Sequence, residues 1–167
     1  MSNKLTKREM KACSHIFPLV RAFEQSEGDV LELGTGYFST LLLHWMCTMT
    51  GRKLISYDTE EKWAKKAQET WANDNHEIYH IKDLDSVNIT DRHWGLVFID
   101  HAPSIRRQID TLRLKDHADF LVLHDTEPRE DKRYRYSEVY KYFKYVYRYT
   151  KHFPHTAVIS NFKEFKP

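Results

Sequence analysis

Short apolar runs alternating with amphipathic stretches constrain this chain more than any other feature. Residues 30–33, 54–57, 76–81, 95–99 and 119–123 read as strands, bounded by Gly, Asp or polar turns. Residues 39–49, 60–73 and 104–114, lying between them, carry apolar positions at three- and four-residue spacing and read as helices. Strand–helix–strand alternation at this spacing predicts a parallel sheet covered on both faces. The tail breaks the pattern. Residues 134–143 read as helical, 144–152 alternate as a strand with Tyr145, Tyr147 and Tyr149 on one face, and 156–162 form a last strand after Pro154. So short a loop makes these two strands antiparallel, because a parallel crossover needs a dozen residues or more. A helical lead-in over residues 6–27, with Pro18 as a potential kink, precedes the first strand.

Composition adds exclusions. The 167 residues suit one domain spanning 1–167, with 1–27 as its lead-in. No apolar run nears the ~18 residues of a membrane helix, and the polar, basic first ten residues lack a secretion signal. A net charge of +2 demands no polyanionic partner. Cys13 and Cys47, 34 residues apart, form no zinc or disulfide pattern and read as reduced thiols of a cytoplasmic protein.

The chemistry collects at strand ends. Asp58, Asp83, Asp100 and Asp125 follow four of the strands, and the first runs into Gly34-Thr35-Gly36-Tyr37-Phe38-Ser39. Ligands of open α/β sheets bind at this carboxyl edge. Glycines admit a sharp turn and close approach to bare backbone, and Ser39 and Thr40 open the following helix, whose first amides suit an anion. Asp58 lies 24 residues beyond Gly34, where an acid accepts hydrogen bonds from ribose hydroxyls.

The ordered set resembles class I S-adenosylmethionine-dependent methyltransferases. Val30-Leu31-Glu32-Leu33-Gly34-Thr35-Gly36 looks like their first motif, and Ile55-Ser56-Tyr57-Asp58-Thr59-Glu60 like the second motif of small, COMT-like and cephalosporin-hydroxylase-like members. Val97-Phe98-Ile99-Asp100-His101-Ala102 and Leu121-Val122-Leu123-His124-Asp125-Thr126 resemble the later strand ends of that branch. The resemblance implies a three-layer α/β/α Rossmann-like sandwich with a seven-stranded, mostly parallel sheet and an antiparallel C-terminal strand. It implies that Glu32, Gly34, Thr35, Gly36, Phe38, Ser39 and Thr40 line the methionine part of S-adenosylmethionine. Asp58 with Thr59 would take the ribose, Asp83 with Leu84 the adenine, and Asp100 the region below the sulfonium. Phe38 departs from the small residue many members carry there.

The implied reaction is methyl transfer to a small-molecule hydroxyl, with Asp100, His101, His124 and Asp125 as candidates for removing the acceptor proton. In the catechol-type branch, carboxylates at these strand ends hold a divalent cation, so Asp100, His124 and Asp125 are also expected metal ligands, for Mg²⁺ or Ca²⁺. His15, His44, His76 and His117 read as surface or packing residues. Residues 129–133 read as a lid beside the site.

Three rivals are weighed. A nicotinamide-dependent oxidoreductase shares the glycine loop and Asp58 but leaves Glu32 and the closing strands unexplained. A nucleic-acid methyltransferase would use residues 129–151, with eight Lys/Arg and seven Tyr, though no Asn-Pro-Pro-Tyr-type motif is present. A solvated helix face plus sheet-packed tyrosines explains that stretch as well. A non-catalytic binding module, or a homo-oligomer whose partner completes the site, is the third.

Overall fold

The computed structural model describes residues 13–167; the first part of the expected lead-in, residues 6–12, lies outside them. The elements are α1 (Ile16–Glu24), β1 (Val30–Leu33), α2 (Ser39–Thr50), β2 (Leu54–Asp58), α3 (Glu61–Trp71), β3 (His76–His80), β4 (Trp94–Ile99), α4 (Ser104–Arg113), β5 (Ala118–His124), α5 (Asp131–Tyr134), α6 (Tyr136–Tyr140), β6 (Tyr145–Tyr149) and β7 (Thr156–Ser160). Seven strands form one sheet in the order β3-β2-β1-β4-β5-β7-β6. β1 to β5 pair in parallel, and β7 runs antiparallel to both β5 and β6, so β7 alone is reversed. This is the expected seven-stranded α/β sheet. Strand order reverses between β1 and β4, which opens the crevice where such sheets bind ligands.

Period-two alternation divides the core. Leu31, Leu33, Val97, Ile99, Leu121 and Leu123 face one layer, where Leu114, Tyr134, Tyr136 and Val139 pack. Val30, Leu96, Phe98, Phe120 and Val122 face the other, against Leu19, Phe23, Leu43 and Cys47 of α1 and α2. Strands buried on both faces explain the continuous apolar runs. The same parity assigns Glu32, Asp58, Asp100 and His124 to the α1/α2 side.

Pro18 does not split α1. It sits in the first turn, where its missing N–H has no intrahelical partner to lose. The expected helix over 134–143 is instead two short helices, α5 and α6, separated by Arg135 in the left-handed region (φ 53°). The Asp131 carboxylate accepts from the Ser137 N–H and hydroxyl across that break. Gly95 is obligatory for packing: a Cβ there would lie 1.9 Å from the Glu27 carbonyl oxygen. No helix among the described residues is long and apolar enough to cross a membrane.

Candidate active site at the carboxyl edge of the sheet

The glycine loop is locked between its neighbouring strands. Gly34 N–H donates to Tyr57 O (2.8 Å), and Asp100 N–H donates to Leu33 O (2.9 Å). Gly34 adopts φ 94°, and a Cβ on it would stand 2.7 Å from the His101 backbone, so the loop crosses β4's end at bare-backbone distance. Asp58 anchors the next turn. Its Oδ2 accepts from the Thr35 N–H (2.8 Å) and hydroxyl (2.7 Å), and its Oδ1 from Glu60 N–H (2.8 Å). The two positions expected at opposite ends of one cofactor are thus in direct contact.

Glu32 is fully buried behind this loop. Its carboxyl accepts from Thr40 Oγ1 (3.0 Å) and Ser56 Oγ (2.7 Å), while Gly36 N–H donates to Thr40 Oγ1 (2.8 Å). Burial pushes its pKa up to about 7; hydrogen bonds from Ser39, Ser56 and Thr40 oppose that rise without cancelling it. Ser56 continues to His76 (2.9 Å) and His76 to His44 (3.2 Å), so these two histidines join a buried polar chain instead of serving as surface residues. α2 begins at half-buried Phe38 with no side chain capping its first turn. A cavity of about 140 Å³ opens between the loop and α3, lined in part by Thr35, Gly36, Thr40, Trp63 and Lys66.

The remaining expected cofactor residues stand apart from this unit. Thr59 bridges the crevice, its hydroxyl donating to Ala102 O (2.9 Å). Asp83 is exposed and caps a short 3-10 turn, its Oδ1 accepting from Asp85 and Ser86 N–H, with Leu84 buried inside that turn.

A charged cluster occupies the ends of β4 and β5. Arg107 of α4, almost buried, reaches Asp100 Oδ1 (2.7 Å) and Asp125 Oδ2 (3.1 Å) and also donates to the backbone oxygens of His101 and Asp100. His124 Nδ1 lies 3.3 Å from Asp100 Oδ2, and its Nε2 meets Ser14 Oγ at 3.2 Å. Tyr134 donates to Asp125 (3.1 Å); the segment expected as a lid, just before it, is helical, with Arg129, Lys132 and Arg133 exposed. Burial alone would raise Asp100, but His124 and Arg107 outweigh it and hold its pKa down to about 2. Burial alone would likewise lower His124, and Asp100 and Asp125 outweigh that to raise it. His15 is buried against Phe98 and His124, with ring centroids 4.7 and 4.9 Å away, and burial lowers its pKa to about 3. His101 turns elsewhere: its Nε2 pairs with buried Asp110 (3.1 Å), which Arg106 and Arg113 also hold.

Asp100, His124 and Asp125 do bring ligand atoms within 4.8 Å of one another. The Arg107 guanidinium already bridges both carboxylates, however, and a divalent ion beside it would face a full positive charge. This donor set does not fit the expected metal.

Arg107, Asp110, Ser14, His15 and Tyr134 were not among the expected site residues. α4 carried a signal: Arg107, Asp110 and Thr111 are its buried residues, while Ile105 and Ile109 are exposed. A charged inner face on a helix signals polar partners at its strand ends.

No family model matches the chain, and no curated protein matches it by sequence. Solved structures do. The catalytic domain of human Mettl16, in complex with the MAT2A 3'UTR hairpin 1, superposes with TM-score 0.63 at 10% identity over 92% of this chain and 71% of its own. A human methyltransferase 10 domain containing protein gives 0.62 at 13%, over 90% and 83%. Magnesium protoporphyrin IX methyltransferase from Synechocystis, with bound SAH, gives 0.60 at 14%, over 95% and 88%. The fold is that of class I S-adenosylmethionine-dependent methyltransferases. At these identities the likeness speaks for architecture, and the chemistry rests on the residues of this chain.

Proposed function

We propose that the protein transfers the methyl group of S-adenosylmethionine to a hydroxyl of a small molecule, as in the COMT-like branch but without a metal. The observation that carries this reading is the juxtaposition at one sheet edge of a glycine loop, held by Asp58, with a His124–Asp100 pair on the adjoining strand ends.

The residues suit that cofactor. Gly34 and Gly36 present bare backbone, the uncapped first turn of α2 offers amide donors to an anion, and Asp58 can exchange its Thr35 contacts for ribose hydroxyls. When bound, the cofactor supplies an electrophilic methyl carbon on a sulfonium, so the chain chiefly has to position the acceptor and accept its proton. His124 is the base in this reading. Asp100 orients its Nδ1 and stabilises the imidazolium, while Arg107 fixes both carboxylates. His15 and Ser14 cover the pair and restrict water. Asp83 and Leu84 mark where the adenine would lie. The neighbours' own names point to both RNA and porphyrin work; the small-acceptor reading rests on the short connections after β4 (100–103) and β5 (125–127) beside this crevice. We place the protein in the cytoplasm, with Cys47 as a buried thiol.

Differential scanning fluorimetry tests the cofactor class. S-adenosylhomocysteine raises the melting temperature and NADH does not. The reverse pattern assigns the glycine loop to a dinucleotide and removes the methyltransferase reading.

A further inference from the structure

The C-terminal quarter separates charge in a way the site above does not use. Residues 139–163 hold five of the 26 Lys and Arg and none of the 24 Asp and Glu, which leaves 21 against 24 elsewhere. Folding puts β6 of this run at the edge of the sheet: among the described residues it pairs only with β7, and its other side meets no strand. Just before it, Arg135 pairs with Glu138 (2.8 Å) and Arg129 lies near Glu127 and Glu130, while Lys132 and Arg133 reach no carboxylate among the described residues. Lys163 pairs with Asp119 (2.7 Å). Lys141, Lys144, Arg148 and Lys151 are all exposed, and none reaches a carboxylate among the described residues.

Aromatic rings interleave with these four cations. Lys141 lies over Tyr142 (5.1 Å), Lys144 over Tyr145 (4.9 Å) and Arg148 over Tyr140 (4.6 Å). Tyr142 is 51% exposed at one end of the edge, and Phe17, 50% exposed, stacks on Tyr149 at the other (5.5 Å, 20°). β6 runs in the same sense as β5, and the register Tyr149–Thr156–His124 puts its C-terminal end level with the candidate base, two strand spacings or roughly 10 Å away.

We propose that this edge is a docking surface for single-stranded nucleic acid. Unpaired cations spaced along the edge track a phosphate backbone, and exposed rings at its ends stack on bases that only a single strand leaves free. A duplex hides its base faces. An anionic bilayer also takes exposed rings at its headgroup boundary, so vesicles form a separate arm of the test. Lysines on an edge strand also discourage edge-to-edge pairing, but that role demands no stacked aromatics and no exclusion of acids. The proposal is independent of the methyl-transfer reading, since its test uses no cofactor.

Fluorescence anisotropy of the full chain with a labelled twelve-uridine oligonucleotide reads it out, beside a twelve-base-pair duplex and phosphatidylcholine–phosphatidylserine vesicles. Four phosphate contacts give a slope of log K against log salt near −3, at about −0.7 per contact. Replacing Lys141, Lys144, Arg148 and Lys151 together by Gln weakens binding at least a hundredfold and flattens the slope. Tyr142→Ala weakens it about tenfold, within the range for one stacked base, and leaves the slope alone. All five side chains are exposed, and unchanged melting temperatures confirm that the variants fold. The proposal is overturned if the quadruple variant binds as wild type, if the duplex binds equally and Tyr142→Ala has no effect, or if only vesicles bind.

Discussion

Glu32 on β1 and Asp100, just past the end of the adjacent β4, lie on the same face of the sheet and titrate in opposite directions. Glu32 is enclosed by hydroxyls and loop backbone with no cation beside it, and burial lifts its pKa to about 7. Asp100 lies between Arg107 and His124, and their charge takes it down to about 2 against its own desolvation. Burial sets the penalty, and the neighbouring charge decides which form bears it. The buried scaffold under the glycine loop, behind Asp58, is therefore neutral and hydrogen-bonded, and the β4/β5 half of the edge an ion-paired one. The first suits holding a ligand through backbone and the second suits moving a proton.

Breaking the ionic half has the largest expected effect. Arg107→Met leaves Asp100 and Asp125 without their shared cation and lowers stability by about 3 kcal/mol, the low end for a broken buried pair, because both carboxylates keep some solvent contact. Urea denaturation measures it; a loss below about 1 kcal/mol means that water already screens the cluster.

Glu32→Gln tests the neutral half. A raised folded-state pKa gives stability that is full below about 4.5 and fades as pH rises through about 7, a change of about 3 kcal/mol in wild type. The substitution removes that decline, so the variant gains on wild type at pH 8 and not at pH 4. Asp100→Asn acts at the other limb. A depressed pKa gives stability that is full above about 3.8 and lost as pH falls towards about 2, worth about 2 kcal/mol. Denaturation midpoints from pH 2 to 8 on the three proteins separate the limbs, and parallel curves contradict the contrast between the halves. Tyr134→Phe is the mildest change. It removes one hydrogen bond to Asp125 and costs about 1 kcal/mol at neutral pH.

Much of this was legible in the residues. Alternation and two-sided apolar runs pointed to the sheet, and the short link after residue 152 to the antiparallel closing pair. The sequence points to Glu32, Thr35, Thr40 and Asp58 as separate site residues but not to their mutual hydrogen bonds, because the loop's curvature brings Thr35 to Asp58 and Thr40 to Glu32, and spacing does not encode it. The ion cluster was half visible. Asp100, His124 and Asp125 sit at strand ends, whereas Arg107 comes from a helix and His15 from the turn that opens one, and how those helices sit over the strand ends depends on packing. The break at Arg135 had no local mark either, since no glycine stands there.

The account's central claim is that the loop from Gly34 and the Asp58 carboxylate hold an adenosyl amino acid. Isothermal titration calorimetry of S-adenosylhomocysteine against wild type and Asp58→Ala tests it most directly. Saturable one-to-one binding is expected, weakened in the variant by about 1.5–3 kcal/mol, the scale of a hydrogen bond to a charged group. Absence of binding to a folded wild type, or equal affinity in both proteins, contradicts it.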